Sequence, residues 1–556
     1  MSTTTARSEP QARPVTGGGG LGNNEAGGPR STGTGTGNGN GNGNGNGQAI
    51  ESLVPARIDR LNWSKFHARM VIALGVAWIL DGLEITIAAN ITDVISQKSA
   101  LAMSSASVAF SVGTIYLLGE VAGALLFGNL ADKLGRKRLF MVTLGVYLIG
   151  GGLSAATAGR GEGWVVFLNC TRFLAGMGIG GEYAAINSAI DELIPARFRG
   201  RVDLGINGSY WAGALLATVL TLGVVNNVPA SYSWRAVFLL GPVLGLVILF
   251  VRRHLPESPR WLLMHGRAEE AEQAVGEMEQ LATHGNAGDL PEVDTSKAIV
   301  VRPSERIGYF ALARQLFAEY PSRSVLSAGL MITQSFLYNA IFFTYALVLT
   351  KIYQVPSNRT EYYFLFFCAG NFAGPLIIGR LFDTVGRRKM ISSTYLLAGG
   401  LLAASAYMFR AGDLTAATQT IWWCAIFFFA SAGASAAYLT CSEVFPLEVR
   451  AKAIGVFFCV AQCFGALGPW LYGQLIGNGT DHFKLFIGYM IGAGVMMVGG
   501  VVAAMFGVPA EQRSLEDIAK PLSAVRRAAA GAMPAVPRPG AHQLPPLAPP
   551  PPGAPA

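Results

Sequence analysis

The chain has 556 residues, of which 51% are hydrophobic and only 14% charged, with a mean hydropathy of +0.39. Soluble chains carry about 25% charged residues, so this one has too little polar surface to coat a water-borne globule, and lipid must solvate much of it. The net charge of +8 does not point to nucleic acid, because Lys and Arg gather in short runs between apolar segments, at 133–138, 197–201 and 387–389. That is how a multispan membrane protein is oriented.

Residues 1–60 form a Gly/Asn-rich tail with an alternating Gly-Asn run at 37–47. It has no apolar stretch of the kind a cleavable leader needs, and too little apolar surface to offset its ordering entropy, so disorder is expected. Apolar segments follow at about 69–92, 106–130, 139–159, 163–187, 202–225 and 235–251, making an N-terminal bundle over 61–251. Each supplies the roughly twenty residues that a bilayer-crossing helix needs. The stretch 252–322 is polar and reads as a cytoplasmic linker, with short surface helices at 268–281 and 306–320. A C-terminal bundle over 323–508 takes in segments at about 323–350, 361–382, 389–410, 419–441, 452–475 and 483–508. The Pro/Ala-rich stretch 509–556 is expected to be a second disordered tail. The fold class is therefore an all-α membrane protein with twelve transmembrane helices in two six-helix bundles. Basic residues mark every second loop, which places both termini in the cytoplasm of a cell inner (plasma) membrane.

The two halves repeat one another. The segment 128–138, Gly-Asn-Leu-Ala-Asp-Lys-Leu-Gly-Arg-Lys-Arg, recurs as Gly-Arg-Leu-Phe-Asp-Thr-Val-Gly-Arg-Arg-Lys at 379–389. Glu192, Pro195 and Arg199 recur as Glu443, Pro446 and Arg450. The spacing is 251 residues in both cases (379 − 128, 443 − 192). Two unrelated motifs in one register imply parallel copies related by an axis along the membrane normal.

These loops, with Pro-Glu-Ser-Pro-Arg-Trp-Leu at 256–262 and Arg-Phe-Leu-Ala-Gly-Met-Gly-Ile-Gly-Gly-Glu at 172–182, resemble the major facilitator superfamily, and within it the sugar porters and metabolite:proton symporters. The resemblance covers about residues 60–520. It implies a secondary transporter working by alternating access, with the loops latching the halves on the cytoplasmic side. Asp132, Arg136, Glu192 and Arg199, with their counterparts Asp383, Arg387, Glu443 and Arg450, are the candidate cytoplasmic gate.

Ionisable residues inside a bilayer are costly and point to function. Asp81, Glu84, Glu120, Arg172 and Glu182 are the candidates for proton coupling. Asp81 and Glu84 share a helix face at i, i+3. The resemblance to proton-coupled sugar porters pairs Glu84 with Arg172, and the resemblance to aromatic-acid symporters makes Asp81 the alternative carrier. A carboxylate beside Arg⁺ keeps its charge, and one left alone in a dry cavity takes up a proton. For the solute, the resemblance singles out Asn207, Gln334, Asn339 and Tyr438. Amides donate and accept hydrogen bonds, which suits hydroxyls and carboxylates alike. Arg172 also admits an anion by direct charge contact, so an organic acid is favoured over a sugar.

The six cysteines show no CxxC pairing, and none of the nucleotide-loop, HExxH or GxSxG patterns occurs. No enzyme activity, cofactor or metal is expected. The expected function is proton-coupled symport of a small polar metabolite, an organic acid or a sugar. A uniporter or exporter of the same fold, or a transporter-like sensor, is the alternative. The expected partners are the solute, a proton and the lipid bilayer, with no nucleic acid, and the chain is expected to be a monomer.

Overall fold

The structure is a computed structural model that describes residues 50–252, 257–283, 290–293, 299–301, 308–446, 449–509 and 518–519. Some side chains within those helices fall outside the description. The stretches expected to be disordered lie mostly outside it, with one correction. Residues 50–60, assigned above to the tail, form the strand β1 (Ile50–Ser52) and the helix α1 (Val54–Asp59).

The first half holds α2 (Lys65–Asn90), α3 (Thr92–Ser96), α4 (Ser105–Val108), α5 (Ile115–Leu134), α6 (Arg136–Ala155), α7 (Glu162–Leu193), α8 (Ala196–Asn227) and α9 (Ala230–Arg252). α4 and α5 make one crossing through a π-helical turn at Ala109–Thr114. The linker carries α10 (Pro259–Met264), α11 (Ala268–Thr283), the strand β2 (Ile299–Val301) and α12 (Tyr309–Glu319). The second half holds α13 (Pro321–Phe342), α14 (Tyr345–Lys351), α15 (Thr360–Thr384), α16 (Arg387–Ala411), α17 (Ala416–Glu443), α18 (Arg450–Ile476) and α19 (His482–Phe506). Ten helical segments among the described residues are long and apolar enough to cross a membrane, and the long helices α7 and α9 complete the twelve crossings. Ile377, Ile421 and Phe366 are each about two-thirds exposed on the outside of the bundles. Lipid is the solvent that accepts such a surface.

The repeated loop motif has a conformational basis. Gly135 and Gly386, in matching positions of the two copies, take positive φ of +80° and +111° immediately before α6 and α16. Only glycine reaches that region cheaply, so the chain reverses between adjacent crossings in few residues. The glycines of the 172–182 motif do something else. Gly176 and Gly180 lie against the carbonyls of Tyr116 and Glu120, so that α7 packs backbone to backbone on α5. Small residues permit such close approach in membranes.

The N-terminal segment is strapped to the linker. β1 pairs antiparallel with β2, Ile50 opposite Val301 and Ser52 opposite Ile299. Arg57 of α1 and Arg60, which follows it, both bond Glu279 of α11, with Arg57 Nη2 at 2.6 Å and Arg60 Nη2 at 2.7 Å. Burial works to raise the Glu279 carboxyl, but the two guanidiniums outweigh it and hold it below its ordinary value. A depressed carboxyl contributes stability above its unfolded value and loses it as pH falls through its folded value. Protection of the α1 amides, relative to their intrinsic exchange rate at each pH, is therefore expected to be high at neutral pH and to fall at pH below the ordinary Glu range. Glu279→Gln should show low protection throughout.

Candidate functional site: a polar cavity between the halves

A cavity enclosing about 760 Å³ of atom-free space, open side included, lies where the halves meet. Its walls come from α2, α5, α7 and α8 on one side and α13, α17 and α18 on the other. All four expected solute contacts, Asn207, Gln334, Asn339 and Tyr438, line it. So does Glu120, the only acid or base among the described lining residues apart from tyrosines.

Glu120 is fully buried and bridges the two halves, because Gln462 Nε2 of α18 donates to its Oε2. Gln462 Oε1 in turn accepts from Ser335 Oγ. Asn339 Nδ2 then donates to the Ser335 carbonyl (2.9 Å) and to Ser335 Oγ (3.2 Å). An acid of the first half is thus joined through an amide to two polar residues of the second. Gln462 and Ser335 were not singled out from the sequence, where Gln462 reads as an isolated polar residue in an apolar run and Ser335 as the neighbour of Gln334.

Glu84 and Arg172 are brought together as the resemblance implies, but outside the cavity wall. Arg172 Nη1 lies 3.7 Å from Glu84 Oε1, and their side chains are 0% and 1% exposed. Tyr147 Oη donates to Glu84 Oε2. The Arg172 guanidinium lies over the Tyr116 ring at 4.4 Å and near the Phe238 ring at 5.3 Å. None of its nitrogens has a hydrogen-bond partner among the described residues. It is an ion pair held by charge and ring faces, with Tyr147 bonding the acid and Arg172 3.7 Å from it. Gly241 of α9 leaves the room that the Glu84 and Tyr147 side chains fill.

Asp81 is fully buried on α2, within electrostatic reach of Tyr116, Tyr183 and Tyr210. Glu182 is buried too, but it accepts a bond from Thr143 Oγ1 of α6 (3.1 Å) and does not line the cavity. The expectation that Arg172 meets an anionic solute directly is corrected here. Tyr116 and Phe238 cover its guanidinium, and the residue does not line the cavity.

At the linker end, Arg387 and Glu443 form an ion pair, with side chains only 6% and 4% exposed. Arg450 is buried and donates from Nη2 to the Phe445 carbonyl (3.1 Å). The side chains of Asp132, Arg136, Glu192, Arg199 and Asp383 lie outside the described residues.

At the far end, two acids from opposite halves approach each other. Asp93 of α3 and Glu361 of α15 are each 1% exposed and interact electrostatically, with Lys351 acting on Asp93. Neither residue stood out in the sequence. Acids at helix starts are ordinary because they meet the positive end of the helix dipole, and 361 − 93 does not equal the repeat spacing.

Two parallel six-helix halves around one shared polar cavity define a membrane carrier of the major facilitator type. The chain belongs to the sugar (and other) transporter family, whose model matches residues 70–521. It is 26% identical over 463 residues to the niacin transporter NiaP of Acinetobacter baylyi, covering 83% of this chain and 99% of that protein. A putative niacin/nicotinamide transporter NiaP of Bacillus subtilis is also 26% identical, over 74% of this chain and 89% of its own length. Among solved structures, the proton:xylose symporter XylE of E. coli bound to 6-bromo-6-deoxy-D-glucose superposes with a TM-score of 0.65. It shares 18% identity, over 81% of this chain and 98% of that one. The chain is a transporter and not an enzyme.

Proposed function

We propose that this carrier drives a small polar metabolite across the plasma membrane by proton symport, exposing the cavity to each side in turn. The observation that carries the reading is the buried Glu84–Arg172 pair, an ion pair without a hydrogen bond between its members. Such a pair parts by giving up charge attraction and the ring contacts of Arg172, and a carboxylate left without its cation in a dry setting takes a proton. Glu84 and Arg172 are the proton switch, with Asp81 as the second carrier on the same helix. Asn207, Gln334, Asn339 and Tyr438 contact the solute, and Glu120 faces it. Glu182, held by Thr143, serves packing. Both termini and the linker lie in the cytoplasm, and one chain suffices for transport.

The test is uptake into proteoliposomes under an imposed pH gradient, across a panel of nicotinamide, nicotinate, D-xylose and inorganic phosphate. One member is expected to accumulate against its gradient and to carry protons in with it. Solute movement that ignores the pH gradient and brings no proton flux would leave a uniporter in its place.

The Arg387–Glu443 pair supplies the cytoplasmic gate, together with Asp132, Arg136, Glu192, Arg199, Asp383 and Arg450. Breaking a buried pair by removing one partner costs about 3–5 kcal/mol, because the other charge stays buried alone. Arg387→Ala is expected to slow uptake more than tenfold and to lower the thermal midpoint. The reversed pair, Arg387→Glu with Glu443→Arg, should recover much of both. Equal loss in the reversed pair would assign these residues to other contacts.

A further inference from the structure

One helix of the linker turns large apolar side chains away from the protein. α12 buries Leu312 and Leu316 in a cluster with Cys441 of α17 and with Ala453, Ile454 and Phe457 of α18. At about 3.6 residues per turn, Phe310, Arg314 and Phe317 fall on the opposite side of the helix. Phe310 is 88% exposed and Phe317 46%. The other amphipathic linker helix differs. α11 buries Ala271, Val275 and Met278 and exposes Glu269, Glu270, Glu272 and Gln273, an outer face suited to water. The outer face of α12 pairs two phenylalanines with an arginine, and a different solvent suits it.

The neighbouring surface identifies that solvent. Trp470, Leu467, Phe464 and Val460 form an outward stripe on α18, spaced three or four residues apart and each more than a third exposed. This is surface that lipid accepts. The next position in that register is Phe457, which is 1% exposed where α12 covers it, its ring 6.1 Å from that of Phe317. The outer face of α12 thus takes over the lipid-facing surface of α18. At the start of the helix, the Tyr309 hydroxyl lies where a Cβ on Gly128 of α5 would be. Leu125 and Leu126, the preceding turn of α5, point outward too. α12 therefore lies across the seam between the halves, on its lipid side.

Depth agrees with this. α18 runs from Arg450 to Ile476, so its midpoint is Cys463. Phe457 and Ala453 lie six and ten residues from that midpoint (463 − 457, 463 − 453), or about 9 and 15 Å at the helical rise. The hydrocarbon core of a bilayer reaches about 15 Å from its midplane. A helix seated on Ala453 and Phe457 lies at the boundary between acyl chains and headgroups.

We propose that α12 is an in-plane membrane helix whose outer face is occupied by bilayer phospholipid, with Phe310 and Phe317 among the acyl chains and Arg314 at the headgroup phosphates. Amphipathic helices bury an apolar face about 5–10 Å deep at this boundary, and long basic side chains reach from it to the charged layer. The helix fastens the linker end of the second half to the membrane surface and holds Tyr309 against Gly128.

The test is photocrosslinking of the full-length protein in vesicles of phosphatidylethanolamine and phosphatidylglycerol. The photoreactive analogue p-benzoylphenylalanine replaces Phe310, Phe317 or, as a control, Gln273 on the outer face of α11, and the intact mass is read after irradiation. Phe310 and Phe317 are expected to gain the mass of one phospholipid in about tenfold higher yield than Gln273. A product of doubled mass at Phe310 would give the face to a second copy of the chain and overturn the proposal. Equal lipid yield at Phe310 and Gln273 would overturn it as well. A fluorescence reading covers the case in which the analogue disturbs folding. Phe310→Trp should add emission, over that of the nine natural tryptophans, which brominated phospholipid quenches and aqueous iodide does not. Gln273→Trp should show the reverse. Iodide quenching of the emission added by Phe310→Trp, without quenching by brominated lipid, would place this face in water and end the proposal.

Discussion

Glu84→Gln is expected to abolish uphill transport while preserving solute exchange. Glutamine matches the shape of the protonated acid and can still meet Tyr147 and Arg172, but it holds no exchangeable charge. With one proton per solute, each unit of pH gradient can raise the internal solute about tenfold, since a pH unit is worth about 1.4 kcal/mol. In the variant that ratio should fall to about one, whatever the gradient. Counterflow of labelled solute between equal concentrations, which needs no proton, should continue at a measurable rate. Full accumulation by Glu84→Gln would remove this residue from coupling and move the role to Asp81, which is fully buried on the same helix.

The second large effect is steric. Gly180→Ala places a methyl against the Glu120 carbonyl, where α7 and α5 pack backbone to backbone. Overpacking typically costs about 1–3 kcal/mol and at times more, and here the obstacle is backbone that cannot rotate away. The misplaced strut carries Glu120 itself, so both the yield of folded protein and uptake per folded molecule should drop. Gly145→Ala, on α6 with nothing within 4 Å of the added carbon, is the matched control and should behave as wild type. Equal behaviour of the two variants would mean that the α5–α7 contact is looser than its geometry.

Much of the fold was legible because bilayer physics leaves few options. An apolar run of some twenty residues must satisfy its own backbone, and helices do so. The twelve expected segments overlap the helices, with ends that differ by up to six residues (193 − 187 at α7), from α2 at Lys65–Asn90 to α19 at His482–Phe506. The seventh crossing hid its break. Residues 323–350 read as one apolar run, yet α13 stops at Phe342 and α14 resumes at Tyr345, because hydropathy does not register an interruption among Phe and Thr. The strap between β1 and β2 was invisible for a different reason. Its six residues are distant in sequence and short, and neither strand carries a long alternating pattern.

Legibility of the site followed the resemblance. Asn207, Gln334, Asn339 and Tyr438 were placed by motif register and converge on one cavity. Gln462 lies outside every motif and Ser335 stands at an unspecified position between Gln334 and Asn339, and only folding shows that they complete a chain to Glu120. Arg172 was expected within reach of the solute, since nothing linear reveals that Tyr116 and Phe238 cover its guanidinium.

The strap at the N-terminal end also bears on the order in which the molecule is made. Arg57 finds its partner Glu279 at a separation of 222 residues, so the seat for α1 does not exist when α1 leaves the ribosome. At about 5–20 residues per second of synthesis, the wait is on the order of 10–40 s. The first six crossings are translated during that interval with their leading segment undocked. Docking of α1 therefore follows synthesis of the whole first half, and a chain halted before α11 would carry that segment loose.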